Sequence, residues 1–251
     1  MPSAEGRPAS GGFFSRIGGA ALEMIYPQDC IACGRDVAVD PHGLCPDCRA
    51  GLPRIGEWRC PRCGDELGPY AAGRPACPSC SQRSGLMFRS AVAVCRYEGA
   101  AREIVHRLKY GADLRAVRLM KEGILQRLQG QSWVGEIDLV VPVPLHWTRR
   151  ISRRFNQSDL LARGIAASLG REYRPALLRR LRRTRPQAFL RGAAREQNMR
   201  GAFGVRRPPL AAGRTVLLVD DVMTTCATAS ECARTLLAAE ARRVYVAVFA
   251  R

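Results

Sequence analysis

Apolar residues along this chain alternate between short solid runs and helical repeats. Residues 216–219 read Val-Leu-Leu-Val, a run bounded by turn residues that suits a strand buried on both faces. Asp220 and Asp221 follow at its end, then a loop of small and hydroxyl residues, then a helix over 229–240. Residues 91–97 alternate toward a strand. Residues 138–143 form a short apolar strand closed by Pro142 and Pro144, 173–178 give a further short strand, and 243–249 a closing one. Between them, apolar residues at helical spacing predict helices over 98–110, ending at Gly111, and over 114–128 and 155–169. Strands and helices in alternation imply an α/β fold with a largely parallel sheet and right-handed crossovers. Ligands of such sheets bind at the C-terminal strand edge, where both the Asp220-Asp221 pair and the Pro142-Pro144 turn fall.

Composition adds bounds. A chain of 251 residues holds one α/β domain with a sizeable core plus a smaller module. No run is long and apolar enough to span a bilayer. Residues 1–12 are small and polar, the composition of a disordered tail, and 13–25 suit a short amphipathic helix. That helix lacks the continuous apolar region of a signal peptide, so a cytoplasmic protein is expected. Net charge is +18, and between Arg149 and Arg214 eighteen arginines face three acids, Asp159, Glu172 and Glu196. The excess points to an anionic partner larger than one small substrate, nucleic acid first. The alternative is compositional drift, since the chain has only two lysines, Lys109 and Lys121.

Eight of the eleven cysteines form four Cys-x-x-Cys knuckles: Cys30/Cys33, Cys45/Cys48, Cys60/Cys63 and Cys77/Cys80. Two thiolates from one tight turn reach a single tetrahedral metal, and a second knuckle completes the shell. Pairing neighbours gives two structural Zn²⁺ sites in tandem ribbons, with one or two ions expected; cross-braced pairing uses the same residues. Regular doublets without a secretion signal favour metal over disulfides. Cys95, Cys226 and Cys232 stand alone and read as small buried residues.

A strand, a loop and a helix N-terminus make a phosphate site, because free N–H groups and the helix dipole face the anion. Paired carboxylates beside it suit ribose hydroxyls or hydrated Mg²⁺. Phosphate, ribose and Mg²⁺ together match phosphoribosyl pyrophosphate (PRPP). The stretch from Val216 through Asp220, Asp221, Thr224, Thr225, Cys226, Ala227 and Thr228 resembles the PRPP motif of type I phosphoribosyltransferases. That resemblance implies that Asp220 and Asp221 face the ribose 2′- and 3′-hydroxyls and that residues 224–228 wrap the 5′-phosphate. Cys226 departs from it, standing where the family usually has glycine.

Residues 141–150, with His146, Trp147, Arg149 and Arg150, followed by Arg153, Arg154, Phe155, Asn156 and Gln157, are similar to the pyrophosphate-side loop of the ComF (ComFC-like) family. The Leu108-Lys109-Tyr110 stretch, the knuckles, and Gln187, Leu190, Arg195, Asn198, Gly201 and Phe203 match that family too. The resemblance spans residue 27 to the C-terminus, with Arg154 where the family commonly has glycine. It implies a type I phosphoribosyltransferase domain and a role with incoming single-stranded DNA in natural transformation, alongside competence proteins. Arg149 and Arg150 suit the leaving pyrophosphate. Arg153, Arg154, Arg182, Arg183 and Arg185 suit a DNA strand, and Trp58, Trp133, Trp147 and Phe189 are aromatics on which bases could stack.

The expected organisation is a tail and short helix over 1–26, a tandem zinc ribbon over 27–82, and a phosphoribosyltransferase-like domain over 88–251. The expected function is a ComF-like zinc protein that binds PRPP and handles single-stranded DNA. An active Mg-dependent phosphoribosyltransferase acting on a nitrogenous acceptor, and a PRPP- or nucleotide-sensing regulator, are the alternatives.

Overall fold

The computed structural model describes residues 29–68, 77, 80, 85–111, 113–145, 155–182 and 198–251. Among them the chain is α/β, as its periodicity predicts. Five parallel strands form one sheet in the order β1-β7-β6-β2-β3: β1 (Ser90–Cys95), β2 (Leu139–Pro142), β3 (Glu172–Tyr173), β6 (Thr215–Val222) and β7 (Arg243–Ala250). A separate antiparallel pair joins β4 (Leu178–Arg180) to β5 (Phe203–Val205). The single strand expected over 173–178 is therefore two. Pro175, which has no N–H to give a ladder, falls in the turn between β3 and β4.

Strand alternation sorts the core. Val92, Val94, Val140, Leu217, Val219, Ala247 and Phe249 pack on one face, under α1 (Gly99–His106), α2 (Leu114–Gln129) and α3 (Gln157–Leu169). Ala91, Ala93, Val141, Val216, Leu218, Val246 and Val248 pack on the other, with α4 (Ala227–Leu237) and the β4–β5 pair. Because β6 and β7 are buried on both faces, their sequences are solid apolar runs. Trp133 stacks on Tyr245, ring centroids 4.1 Å apart, and belongs to this core, so it offers no face to a base.

The helix expected to run to Tyr110 changes character instead. After α1 the chain takes a π-helical turn, Arg107–Gly111. Such wide turns shift side chains off the α-helical register and recur at functional sites.

The cysteine region is woven into the sheet. Residues 53–56, which link the second and third knuckles, lie along the outer edge of β1. Arg54 bridges Cys95 antiparallel, Ile55 N–H donates to the Val94 carbonyl at 2.9 Å, and Arg96 N–H donates to the Pro53 carbonyl at 2.8 Å. The link covers an edge that would otherwise present open N–H and C=O groups. Cys30, Cys45 and Leu52 join the core on the α1–α3 side, while Cys60, Cys63 and Cys77 join the core on the α4 side. Gly64 makes the second contact possible: its φ is +71°, and a Cβ there would stand 2.9 Å from the Ala91 carbonyl oxygen. None of the described helices is long and apolar enough to cross a membrane.

Candidate functional site: cysteine clusters and a carboxylate pair

Neighbouring knuckles pair. The thiol sulfurs of Cys30, Cys33, Cys45 and Cys48 lie within 4.8 Å of one another, and so do those of Cys60, Cys63, Cys77 and Cys80. The Sγ–Sγ distances of 3.9 Å (Cys33–Cys45), 3.9 Å (Cys60–Cys80) and 3.6 Å (Cys63–Cys77) suit a tetrahedral thiolate shell. With Zn–S bonds of about 2.3 Å, such sulfurs stand about 3.8 Å apart. Backbone N–H groups point at the sulfurs, Cys45 N–H to Cys30 Sγ at 3.4 Å and Cys77 N–H to Cys60 Sγ at 3.3 Å. Arg35 Nε donates to Cys33 Sγ at 3.4 Å, and this bond, with the Arg35 backbone N–H and the Cys30 and Cys48 thiols, lowers the Cys33 pKa to about 6. Both clusters are thus consistent with closed, structural Zn²⁺ sites. The second is wholly buried, whereas Cys33 of the first is exposed.

The carboxylate pair ends β6. Asp221 is buried, and its Oδ2 meets Lys109 Nζ at 2.7 Å. Asp220 keeps part of its surface exposed, yet the protein packed around its carboxyl pushes its pKa up to about 7, with the Asp221 charge adding to the push. Ser158, buried on the first turn of α3, donates to Asp220 Oδ1 at 2.6 Å and opposes that rise. Burial acts to lower the Lys109 pKa, but the charges of Asp221 and Asp220 outweigh it and hold the ammonium above its usual value. The π-helical turn supplies this lysine, and the start of α3 supplies the serine.

Lys109 lies in the Leu108-Lys109-Tyr110 stretch that matches the ComF family, with no role assigned there, and Ser158 belongs to no motif; both nevertheless carry a signal. Lys109 follows Val105 by one helical turn, and Ser158 precedes Leu161 and Ala162 by three and four residues, so each is a polar residue on an apolar face. Replacing Lys109 with Met is expected to destabilise the fold by about 3 kcal/mol, because it strands a buried carboxylate, a loss that costs about 3–5 kcal/mol. The low end applies, since a fifth of the lysine side chain is exposed. Adding Asp221→Asn should restore most of the loss. Urea midpoints of the two variants measure it, and an unchanged midpoint for Lys109→Met would contradict the pairing.

Beyond the pair, the loop closes on α4. Thr224 is exposed, and Thr225 Oγ1 is buried with no hydrogen-bond partner. Cys226 sits before the first residue of α4 in the left-handed region, φ 62° and ψ −6°. This is the backbone that glycine adopts without cost, so the departure at 226 concerns the side chain and not the path of the chain. That side chain is buried, and Arg251 Nη1 donates to its sulfur at 3.0 Å. Arg251, only 3% exposed, also pairs with Asp65 at 3.2 Å, beside the second cysteine cluster. A recess of about 240 Å³ opens here, lined in part by Thr225, Ala227, Ser230 and Arg200.

Two substitutions at 226 separate backbone from side chain. Cys226→Gly removes a left-handed penalty of about 1–2 kcal/mol and a bond to Arg251 of about 1 kcal/mol. The predicted outcome is a melting temperature within a few degrees of wild type. Cys226→Val, β-branched in the same conformation, is expected to lower it clearly. Equal melting temperatures for the two variants would contradict the left-handed assignment.

Other residues singled out in the sequence fall as follows. Asn156 precedes α3 and donates from Nδ2 to the Val143 carbonyl at 3.2 Å, tying the start of that helix to the end of β2. Arg182 is exposed next to β4, and its guanidinium bonds to the carbonyls of Asn198 and Arg200. Arg149, Arg150, Arg153, Arg154, Arg183 and Arg185, with Trp147 and Phe189, lie outside the described residues.

Comparison with known proteins agrees with the cysteine half of this arrangement. The double zinc ribbon domain matches residues 21–96. The DNA utilization protein YhgH of Escherichia coli is 32% identical over 227 residues, which cover 89% of this chain and 96% of the relative. Competence protein F of Haemophilus influenzae is 26% identical over 214 residues, 82% of this chain and 90% of its own. A solved adenine phosphoribosyltransferase from Leishmania tarentolae covers 58% of this chain and 75% of its own, at 12% identity and a TM-score of 0.36, a likeness too slight to carry weight. On its match to the Escherichia coli protein along nearly the whole of both chains, this chain belongs to the ComF/YhgH family, and it joins a double zinc ribbon to a parallel α/β sheet.

Proposed function

We propose that this protein is a cytoplasmic double zinc ribbon protein that binds PRPP with Mg²⁺ at the end of β6 and handles single-stranded DNA during natural transformation, in company with competence proteins. The observation that carries the PRPP reading is the Asp220-Asp221 pair at a strand end, followed directly by a hydroxyl loop and a helix N-terminus. In this reading Asp220 and Asp221 accept the ribose hydroxyls and the waters of the hydrated metal, and the N–H groups of residues 224–228 hold the 5′-phosphate. The partnerless Thr225 hydroxyl suits a phosphate oxygen. Arg149 and Arg150 meet the pyrophosphate. The DNA reading rests on the +18 charge and on the relatives' names, a DNA utilization protein in Escherichia coli and a competence protein in Haemophilus influenzae. Residues 27–82 then form the zinc-ribbon unit, and 88–251 the ligand-binding domain.

The PRPP reading sets a pH dependence. Asp220 must be ionised to accept hydroxyls, and its pKa in the free protein stands at about 7. Below pH 7 binding must first expel a proton, so affinity should fall about tenfold per pH unit, and above pH 7 it should level off. Calorimetry of Mg-PRPP binding across pH 6 to 8 tests this, and an affinity that rises toward pH 6 would count against Asp220 as the acceptor.

A further inference from the structure

A cavity of about 650 Å³ opens beyond the Pro142-Pro144 turn, on the side of α3 away from the carboxylate pair. Ser158 faces Asp220, whereas Asp159 and Arg163, about 100° and 140° further round the helix, line the cavity. The two sites therefore share a helix and differ in face.

Its walls divide by chemistry. Pro144, Leu145, Pro175 and Leu178 give an apolar side, and Tyr173 adds an aromatic ring. Arg163, Arg179 and Arg206 give the other side, and all three are exposed. Arg163 lies 5.7 Å from the centre of the Tyr173 ring, which holds its guanidinium at the cavity wall. The acids nearby are already engaged. The Tyr173 hydroxyl donates to Asp159 Oδ1 at 2.5 Å, and Glu172 pairs with Arg174 and Arg214. Among the described residues, Arg163, Arg179 and Arg206 form no ion pair with a carboxylate; Arg163 bonds to the Tyr173 hydroxyl, and its other N–H groups and the forks of Arg179 and Arg206 are available to an anion.

We infer that this cavity binds a nucleotide unit, its base and sugar against the apolar and aromatic side and its phosphate on Arg163, Arg179 and Arg206. The volume fits such a ligand and greatly exceeds a bare phosphate. The unit can belong to a single strand or be a free nucleoside monophosphate. A strand is favoured, because the exposed Arg182, its Nη2 bonded to the Asn198 and Arg200 carbonyls, adds positive charge just past the end of β4. This inference deepens the single-strand part of the proposed function and is independent of the PRPP part.

The test compares wild type with the triple variant Arg163→Gln, Arg179→Gln, Arg206→Gln. A charge-matched control carries Arg54→Gln, Arg102→Gln and Arg118→Gln, exposed arginines outside the cavity. Binding of a short fluorescent oligodeoxythymidylate is followed by anisotropy at several salt concentrations, and thymidine monophosphate is titrated separately. The expected result is a loss of at least tenfold in strand affinity for the cavity variant, with the salt slope reduced by about 0.7, the contribution of one single-strand phosphate contact. The control should lose far less. Equal losses in both variants would overturn the cavity assignment while leaving strand binding itself intact. Thymidine monophosphate binding without strand binding, abolished by the cavity substitutions, would keep the nucleotide site and assign it to free nucleotide. Wild-type protein that binds neither probe would overturn this inference together with the single-strand reading.

Discussion

Stripping metal from this protein is expected to unsettle much more than the segment that holds the cysteines. With both clusters loaded with zinc, each contributes binding energy on the scale of the fold's whole stability: structural zinc is worth about 10–16 kcal/mol in small modules, and ordinary domains are stable by about 5–15 kcal/mol. Here the clusters are not separable beads. Cys30 and Cys45 belong to the core beneath α1, α2 and α3, the second cluster belongs to the core beneath α4, and the chain between them covers the β1 edge. Losing metal therefore opens both faces of the sheet at β1. A chelator should remove two equivalents, lower the melting temperature by well over about ten degrees, and raise hydrogen exchange in Ser90–Cys95 before Thr215–Val222. Release should be biphasic. The first cluster, with Cys33 exposed, loses metal first, and the second, with all four cysteines buried, loses it later. Cys30→Ser should abolish the fast phase and Cys63→Ser the slow one. A metal-free protein that melted like the loaded one would refute this view of the ribbons.

The sequence was most readable where a local pattern and a tertiary role coincide. The run ending at Asp220 could be read as a buried strand because every residue from Thr215 to Val219 is in fact covered on both faces. The knuckles could be read as metal ligands because a tetrahedral shell needs two closely spaced pairs; their pairing stayed open until distances fixed it. The widened turn after His106 could not be read, since Arg107-Leu108-Lys109-Tyr110 extends an α-helical pattern smoothly. That turn brings Lys109 to Asp221, so the missed backbone detail and the missed pairing of this lysine have one cause. The pairing of residues 53–56 with β1 was equally hidden. It joins residues about forty apart in sequence through backbone hydrogen bonds, for which side-chain pattern holds no record.

The second large effect concerns the carboxylate pair. Asp220 and Asp221 lie at the end of a strand with Lys109 as their cation and Ser158 as their donor, a charged cluster whose burial costs the fold free energy. In the proposed reading, the PRPP that this cluster binds at the sheet edge is what explains it. Converting both residues to Asn keeps their shape and removes their charge. Each charge-assisted hydrogen bond contributes about 1.5–3 kcal/mol, so the pair accounts for at least about a hundredfold in affinity. Asp220→Asn, Asp221→Asn leaves Lys109 without a counterion, and its fold must first be verified by an unchanged zinc content and a cooperative melt. Calorimetric titration of the zinc-loaded protein with PRPP and Mg²⁺, repeated on that double variant at pH 8, is the most direct measurement of the central claim. The account predicts saturable binding by the wild type and a loss of at least a hundredfold in the folded variant; no binding by the wild type, or equal binding by both, would contradict it.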